Sequence, residues 1–152
     1  MLGNAMFRVL SEFGDETVFG AVRSAEISRF FIPELASRLL VTDNLEELGA
    51  LELLFEQVKP QIVVNCVALR KKELCNPTKA IAIFSLLPRR LAYLCRQTKA
   101  RLVLISSDGV FSGERGRYTE DDLPDANDSY GIAKFLGEVD EPNVITLRTS
   151  II

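Results

Sequence analysis

Within residues 129–134, "SYGIAK", a phenol and an ammonium stand four residues apart, at Tyr130 and Lys134. On a helix that spacing puts both on one face, a single turn from each other. A tyrosine left to itself ionises near pH ~10, too high for efficient proton exchange near neutrality, and a neighbouring ammonium lowers that value by favouring the phenolate. Ser107 closes the run "RLVLISS", residues 101–107, and offers a hydroxyl that could hold a carbonyl against the phenol. Together the three would make a proton donor, its tuner and a positioning group. Tyr-x-x-x-Lys alone is a weak signal, because such pairs also occur on ordinary solvated helix faces. The chain contains no histidine, which removes Ser-His-Asp triads, Cys-His pairs and imidazole-held metals. Cys66, Cys75 and Cys95 have neither zinc-like spacing nor an even count, so all three are expected to be reduced.

Such side chains need elements to aim them. Apolar residues at helical spacing from Leu2 to Phe13 predict an opening helix that stops at Gly14. Residues 17–22 and 38–41 read as short strands, with an irregular segment between them broken by Pro33. Asp43, with Glu46 three residues on, reads as the N-cap of an amphipathic helix that runs through Leu51 and Phe55 towards Pro60. The β-branched run at 61–68 predicts a strand, 77–98 a helix bent near Pro88, and 101–107 the strongest strand of the chain. Residues 108–128, rich in turn formers and charge, read as a long surface loop, with Glu120, Asp121 and Asp122 as a solvated turn and Asp108 given no firm role. A helix from about Ser129 and a last strand, "NVITLRTSII" at 143–152, running to the chain end, complete the pattern. Strands alternating with helices at this spacing predict an α/β fold, a doubly wound parallel sheet with helices on both faces. In such a sheet ligands sit beyond the C-terminal strand ends, where "NCVA", "ISSDG" and the loop into "SYGIAK" gather.

In that order, "NCVA", "ISSDGVFSG", "YTEDDLPDANDSYGIAK" and "LRTSII" resemble the extended short-chain dehydrogenase/reductases, and within them the dTDP-4-dehydrorhamnose reductase and sugar-nucleotide-binding branch. The resemblance spans nearly the whole chain. It implies a Rossmann-like fold in which Ser107, Tyr130 and Lys134 are catalytic, Lys134 also binding the cofactor ribose. It implies cofactor contacts at Gly3, the last glycine of a phosphate-binding turn, at Arg23 and Ser24 beside an adenosine 2′-phosphate, and at Cys66, Val67 and Ala68 over the dinucleotide, besides Tyr130 and Lys134. The cofactor implied is NADP (NADPH), with NAD as the alternative, and the substrate a nucleotide-linked 4-keto sugar. Against this pattern the first strand and two glycines are missing, so residues 1–152 are expected to be a partial NAD(P)-binding domain without its C-terminal substrate domain. Leu40 and Phe84 also depart from it, standing where relatives often carry an Asp beside the adenine and a proton-relaying Asn. Both departures favour an alternative in the same fold, a non-catalytic nucleotide-binding or regulatory module; a nucleotide-sugar epimerase or dehydrogenase of the extended group is a further one.

Composition is consistent with these readings. A net charge of -3, with 18 Lys and Arg scattered along the chain, offers no basic field for nucleic acid. No apolar run approaches the ~20 residues of a membrane span and the N-terminus is unlike a signal peptide, so a cytoplasmic location is expected. For the full-length parent, a homodimer is the oligomeric state expected.

Overall fold

A computed structural model describes residues 2–13, 17–42, 44–70, 73, 74 and 76–150. The chain divides into two compact units, residues 1–59 and 60–152.

In the first unit, helix α1 (Leu2–Phe13) buries Phe7 on its inward stripe. Strand β1 (Gly20–Val22) pairs in parallel with β2 (Leu39–Val41), Ala21 facing Leu40. β1 is shorter than the predicted strand at 17–22. The segment between the strands, irregular in the sequence reading, is ordered: Ser24 caps a 3-10 turn (Ala25–Phe30) by accepting from Glu26 N at 3.3 Å. Pro33 then opens the short helix α2 (Pro33–Ala36), where its missing N–H costs nothing. Helix α3 (Leu48–Val58) buries Leu51 and Phe55 and ends at Lys59, which takes the left-handed conformation. It begins later than the predicted cap at Asp43 would place it, with Glu47 at the N-cap and no side-chain cap bond. Asp43 itself, like Gly14 and Cys75, lies outside the described residues.

The second unit is a three-stranded parallel sheet, in the order β3 (Ile62–Asn65), β4 (Arg101–Ser107), β5 (Val144–Thr149). The central strand β4 alternates, with Leu102, Leu104 and Ser106 buried on one face. Between β3 and β4 runs one continuous helical segment, α4 (Pro77–Ala80), a π-helical turn (Ile81–Leu86) and α5 (Leu87–Thr98). The predicted bend at Pro88 has a definite form. Proline has no N–H, so the carbonyl of Phe84 lacks its usual donor four residues on, and the helix widens before it. Widening also turns three consecutive residues, Ile83, Phe84 and Ser85, into the core, which a regular 100° step would not do. Helix α6 (Ser129–Leu136) packs beside this turn, and Ser85 Oγ donates to Ala133 O at 2.8 Å across the contact.

Two glycines make the close packing of α6 feasible. A Cβ at Gly131 would lie 2.2 Å from Gly109 O, and one at Gly137 would lie 1.8 Å from Phe84 O. No side chain fits at either place. Strands and helices therefore alternate as the sequence predicted, as a Rossmann-like α/β fold. Among the described residues the strands form two parallel sheets, β1 with β2 and β4 between β3 and β5. No helix among them is long and apolar enough to cross a membrane.

Candidate active site

β4 ends at Ser107, whose extended backbone makes it the N-cap of a second 3-10 turn (Asp108–Val110). Ser107 Oγ accepts from Gly109 N at 3.0 Å and donates to Asp108 Oδ1 at 3.3 Å. Asp108, given no role from sequence, thus steadies the hydroxyl. The phenol arrives from α6, whose first turn is fixed by Asp128: its Oδ1 accepts from Tyr130 N at 2.8 Å and from Gly131 N at 3.0 Å. A side-chain oxygen in that position satisfies two of the orphan donors of a helix start. Sequence reading placed the helix start but overlooked this cap, although an Asp one residue before it was a usable signal.

Gly109 is where the two groups meet. A Cβ built there would lie 3.2 Å from Ser107 Oγ and 3.2 Å from Tyr130 Cε1. Ser107 and Tyr130, both partly exposed, therefore come up against the same glycine from two different elements.

Lys134 lies one turn further along α6, but its ammonium is turned inward. Nζ donates to Ile105 O at 2.8 Å and stands 5.0 Å from the centre of the Phe84 ring. Tyr130 meets the same ring edge-on, with centroids 5.4 Å apart. Phe84 is 3 % exposed, so the tyrosine and the lysine both rest against one buried apolar surface. Burial holds the Lys134 ammonium below its usual value, and the carboxylate of Glu138 pulls the other way.

Around this core lies a polar cluster absent from the sequence reading. Glu138 grips Arg148 through both oxygens, with the shortest contact at 2.8 Å, and accepts from Ser106 Oγ at 2.6 Å. Arg148 also donates to Glu120 O at 3.1 Å and stands over the ring of Phe111. The long loop is tied down as well. Asp125 accepts from Ser112 N at 2.7 Å and from Tyr118 OH at 2.9 Å, and the Tyr118 ring stacks on Phe111. Glu120 and Asp121 form an exposed turn as expected, and Asp122 in addition accepts from Thr119 N at 2.6 Å and pairs with Arg115 at 2.5 Å. The bond from Arg115, then that from Thr119 N, holds its carboxyl down at about 2.

The cofactor residues expected from sequence divide between the units. Asn65 ends β3 and turns the chain, its Oδ1 accepting from Val67 N at 3.1 Å. Cys66, Val67 and Ala68 follow as loop, so the strand is shorter than the predicted run to 68. Burial pushes the Cys66 thiol up, away from the reactive thiolate. In the first unit, Gly3 lies in the opening turn of α1, and Arg23 and Ser24 are exposed just beyond β1. Leu40 lies within β2, paired with Ala21. The structure therefore assembles Ser107 and Tyr130 around Gly109 and places Lys134 beneath Phe84 on the same helix.

Comparison with known proteins agrees with this architecture. The chain is 31% identical over 159 residues to a probable low-salt glycan biosynthesis reductase of Haloferax volcanii, covering 100% of this chain and 50% of the relative. It is 31% identical over 97 residues to the methionine adenosyltransferase 2 subunit beta of Xenopus laevis, covering 62% of this chain and 29% of the relative. A crystal structure of a hypothetical dTDP-4-dehydrorhamnose reductase from Sulfolobus tokodaii superposes with a TM-score of 0.82 at 28% identity, covering 98% of this chain and 52% of that one. The chain thus spans half or less of the curated relatives' length. The RmlD substrate binding domain matches residues 1–152 from end to end, and the chain belongs to that family.

Proposed function

We propose that this chain is the cofactor-binding part of a cytoplasmic reductase that uses NADPH to reduce a nucleotide-linked 4-keto sugar. The observation that supports the reading is that Ser107 Oγ and the Tyr130 ring both come up against Gly109, which brings a hydroxyl and a phenol to one place from two elements. A dihydronicotinamide, when bound, supplies the hydride. Ser107 orients the substrate oxygen, Tyr130 gives it a proton, and Lys134 serves the ribose and the phenol from one turn away. Cys66, Val67 and Ala68 would line the dinucleotide, with Gly3 at its pyrophosphate and Arg23 and Ser24 at an adenosine 2′-phosphate. A guanidinium suits that phosphate, which favours NADPH over NADH.

The test is made in the full-length parent. Tyr130→Phe should nearly abolish NADPH oxidation by a nucleotide-linked 4-keto sugar while leaving cofactor affinity largely intact. Ser107→Ala should lose about 2–4 kcal/mol of transition-state stabilisation if its hydrogen bond acts as an oxyanion donor does. Wild-type rates in Tyr130→Phe would overturn the reading.

One observation favours a second reading, a non-catalytic regulatory module. Phe84 fills the space against both Tyr130 and Lys134 with an apolar ring, and Lys134 is bonded to a backbone carbonyl beneath it. Relatives named as a subunit of methionine adenosyltransferase fit that role. A parent protein that binds NADPH yet oxidises none of it with any nucleotide-linked keto sugar would decide for this module.

A further inference from the structure

Beneath Lys134 lies a small recess of about 10 Å³ in the second unit, partly open to solvent. Its wall includes Phe84, Ser106, Lys134, Glu138 and Thr146. That volume suits one water molecule and nothing larger. Polarity suits it too. Thr146 Oγ1 is buried and has no hydrogen-bond partner among the described residues. Lys134 uses one of its three donors on Ile105 O. Glu138 already accepts from Arg148 and Ser106, and a carboxylate offers about four acceptor sites in all. A buried hydroxyl left unpaired costs free energy, and a buried ammonium without further partners costs more.

We propose that this recess is a binding site for one ordered water, held by Lys134, Thr146 and Glu138, and that Glu138 is a positioning residue that keeps Lys134 charged inside the fold. The water receives a hydrogen bond from the Lys134 ammonium and gives one to the Glu138 carboxylate, while the Thr146 hydroxyl supplies the third partner. Three partners are what an internal water ordinarily has. The charged groups facing Lys134 are few. Glu138 follows just beyond the end of α6 and Arg148 of β5 acts through Glu138; Tyr130 lies one turn back, and β3 contributes only the neutral Asn65. Arg148 partly neutralises Glu138, and the remaining negative charge acts on the ammonium through space. This deepens the role given to Lys134 above, yet the water site rests on the recess and its lining alone.

The experiment titrates the lysine Nζ signals of isotope-labelled chain by NMR without any cofactor, Lys134→Arg identifying the signal, and looks for water-to-Thr146 cross-relaxation in the same sample. A long-lived water at Thr146 is expected, lost in Thr146→Val. The Lys134 midpoint should fall by about 1 pH unit or more in Glu138→Gln, since removing an adjacent negative charge disfavours the ammonium. Thr146→Val should lower it by a smaller amount. Should Glu138→Gln fail to fold with Arg148 unpartnered, the pair Glu138→Gln with Arg148→Met removes both charges and is expected to lower the midpoint likewise. A dry recess, or a Lys134 midpoint unmoved by removal of Glu138 in a folded variant, overturns the proposal. Because no turnover is read, a parent protein found inactive on keto sugars would count against the reductase and leave the water site standing.

Discussion

Residues 1–59 and residues 60–152 alternate strand and helix in the same way, yet they hold their apolar side chains very differently. Of the buried apolar residues, the first unit contributes Phe7, Leu51 and Phe55, and the second all the others, from Ala80 to Ala133. Both units leave some large apolar side chains exposed, Phe13 at 83 % in the first and Leu123 at 86 % in the second. Two strands of three residues give a sheet too small to cover a helix, whereas β4 extends over seven residues between two partners. The difference teaches where the candidate chemistry is secured. Ser107, Tyr130 and Lys134 all belong to the better-packed unit, and the residues expected to read the adenosine phosphate belong to the other.

The contrast is easiest to break in the core. Leu102, 0 % exposed at the centre of β4, should cost about 2–5 kcal/mol when changed to Ala, whereas Leu53→Ala, at 67 % exposure on α3, should cost no more than about 0.5 kcal/mol. Denaturant unfolding of the two variants measures this, and equal losses would erase the distinction between the units. The glycines sharpen it. Gly137→Ala drives a Cβ onto the Phe84 carbonyl and should destabilise by about 1–3 kcal/mol; Gly49→Ala, with nothing within 4 Å on α3, should stabilise by about 0.5–1 kcal/mol. Opposite signs in the shift of the unfolding midpoint are the expected outcome. The smallest effect concerns the loop of the second unit. Asp122 is held at about 2, so its contribution is present above the ordinary carboxylate value near ~4 and is lost as pH falls from there through about 2. Amide exchange at Thr119 should therefore quicken over that window, and Asp122→Asn should remove the dependence.

Much of the site was legible because it is local. Tyr130 and Lys134 are one turn apart by sequence spacing alone, and Ser107 follows from the end of an unmistakable strand. Asp128 was legible in principle, as a cap needs only a short polar side chain one residue before a helix. The ion pair of Glu138 with Arg148 was not, because its partners come from either side of a loop and meet only when β5 docks beside β4. The solvated turn expected at Glu120, Asp121 and Asp122 is there, with Glu120 and Asp121 exposed; what composition did not give is the Arg115 that pairs with Asp122.

By itself, the sequence determined the alternation of strand and helix, the strand end at Ser107, the phenol and ammonium on one helical face, and the absence of any imidazole chemistry. These depend on side-chain period, backbone capping and residue type, which act over a few residues. Tertiary structure decided what surrounds those groups. A proline at position 88 predicts a bend, but only the packed helix shows that the bend is a π-helical turn that drives Phe84 against both Tyr130 and Lys134. The inward turn of the Lys134 ammonium to Ile105 O likewise depends on burial and on the approach of a strand 29 residues away in sequence, and distance in space is what a linear pattern does not carry.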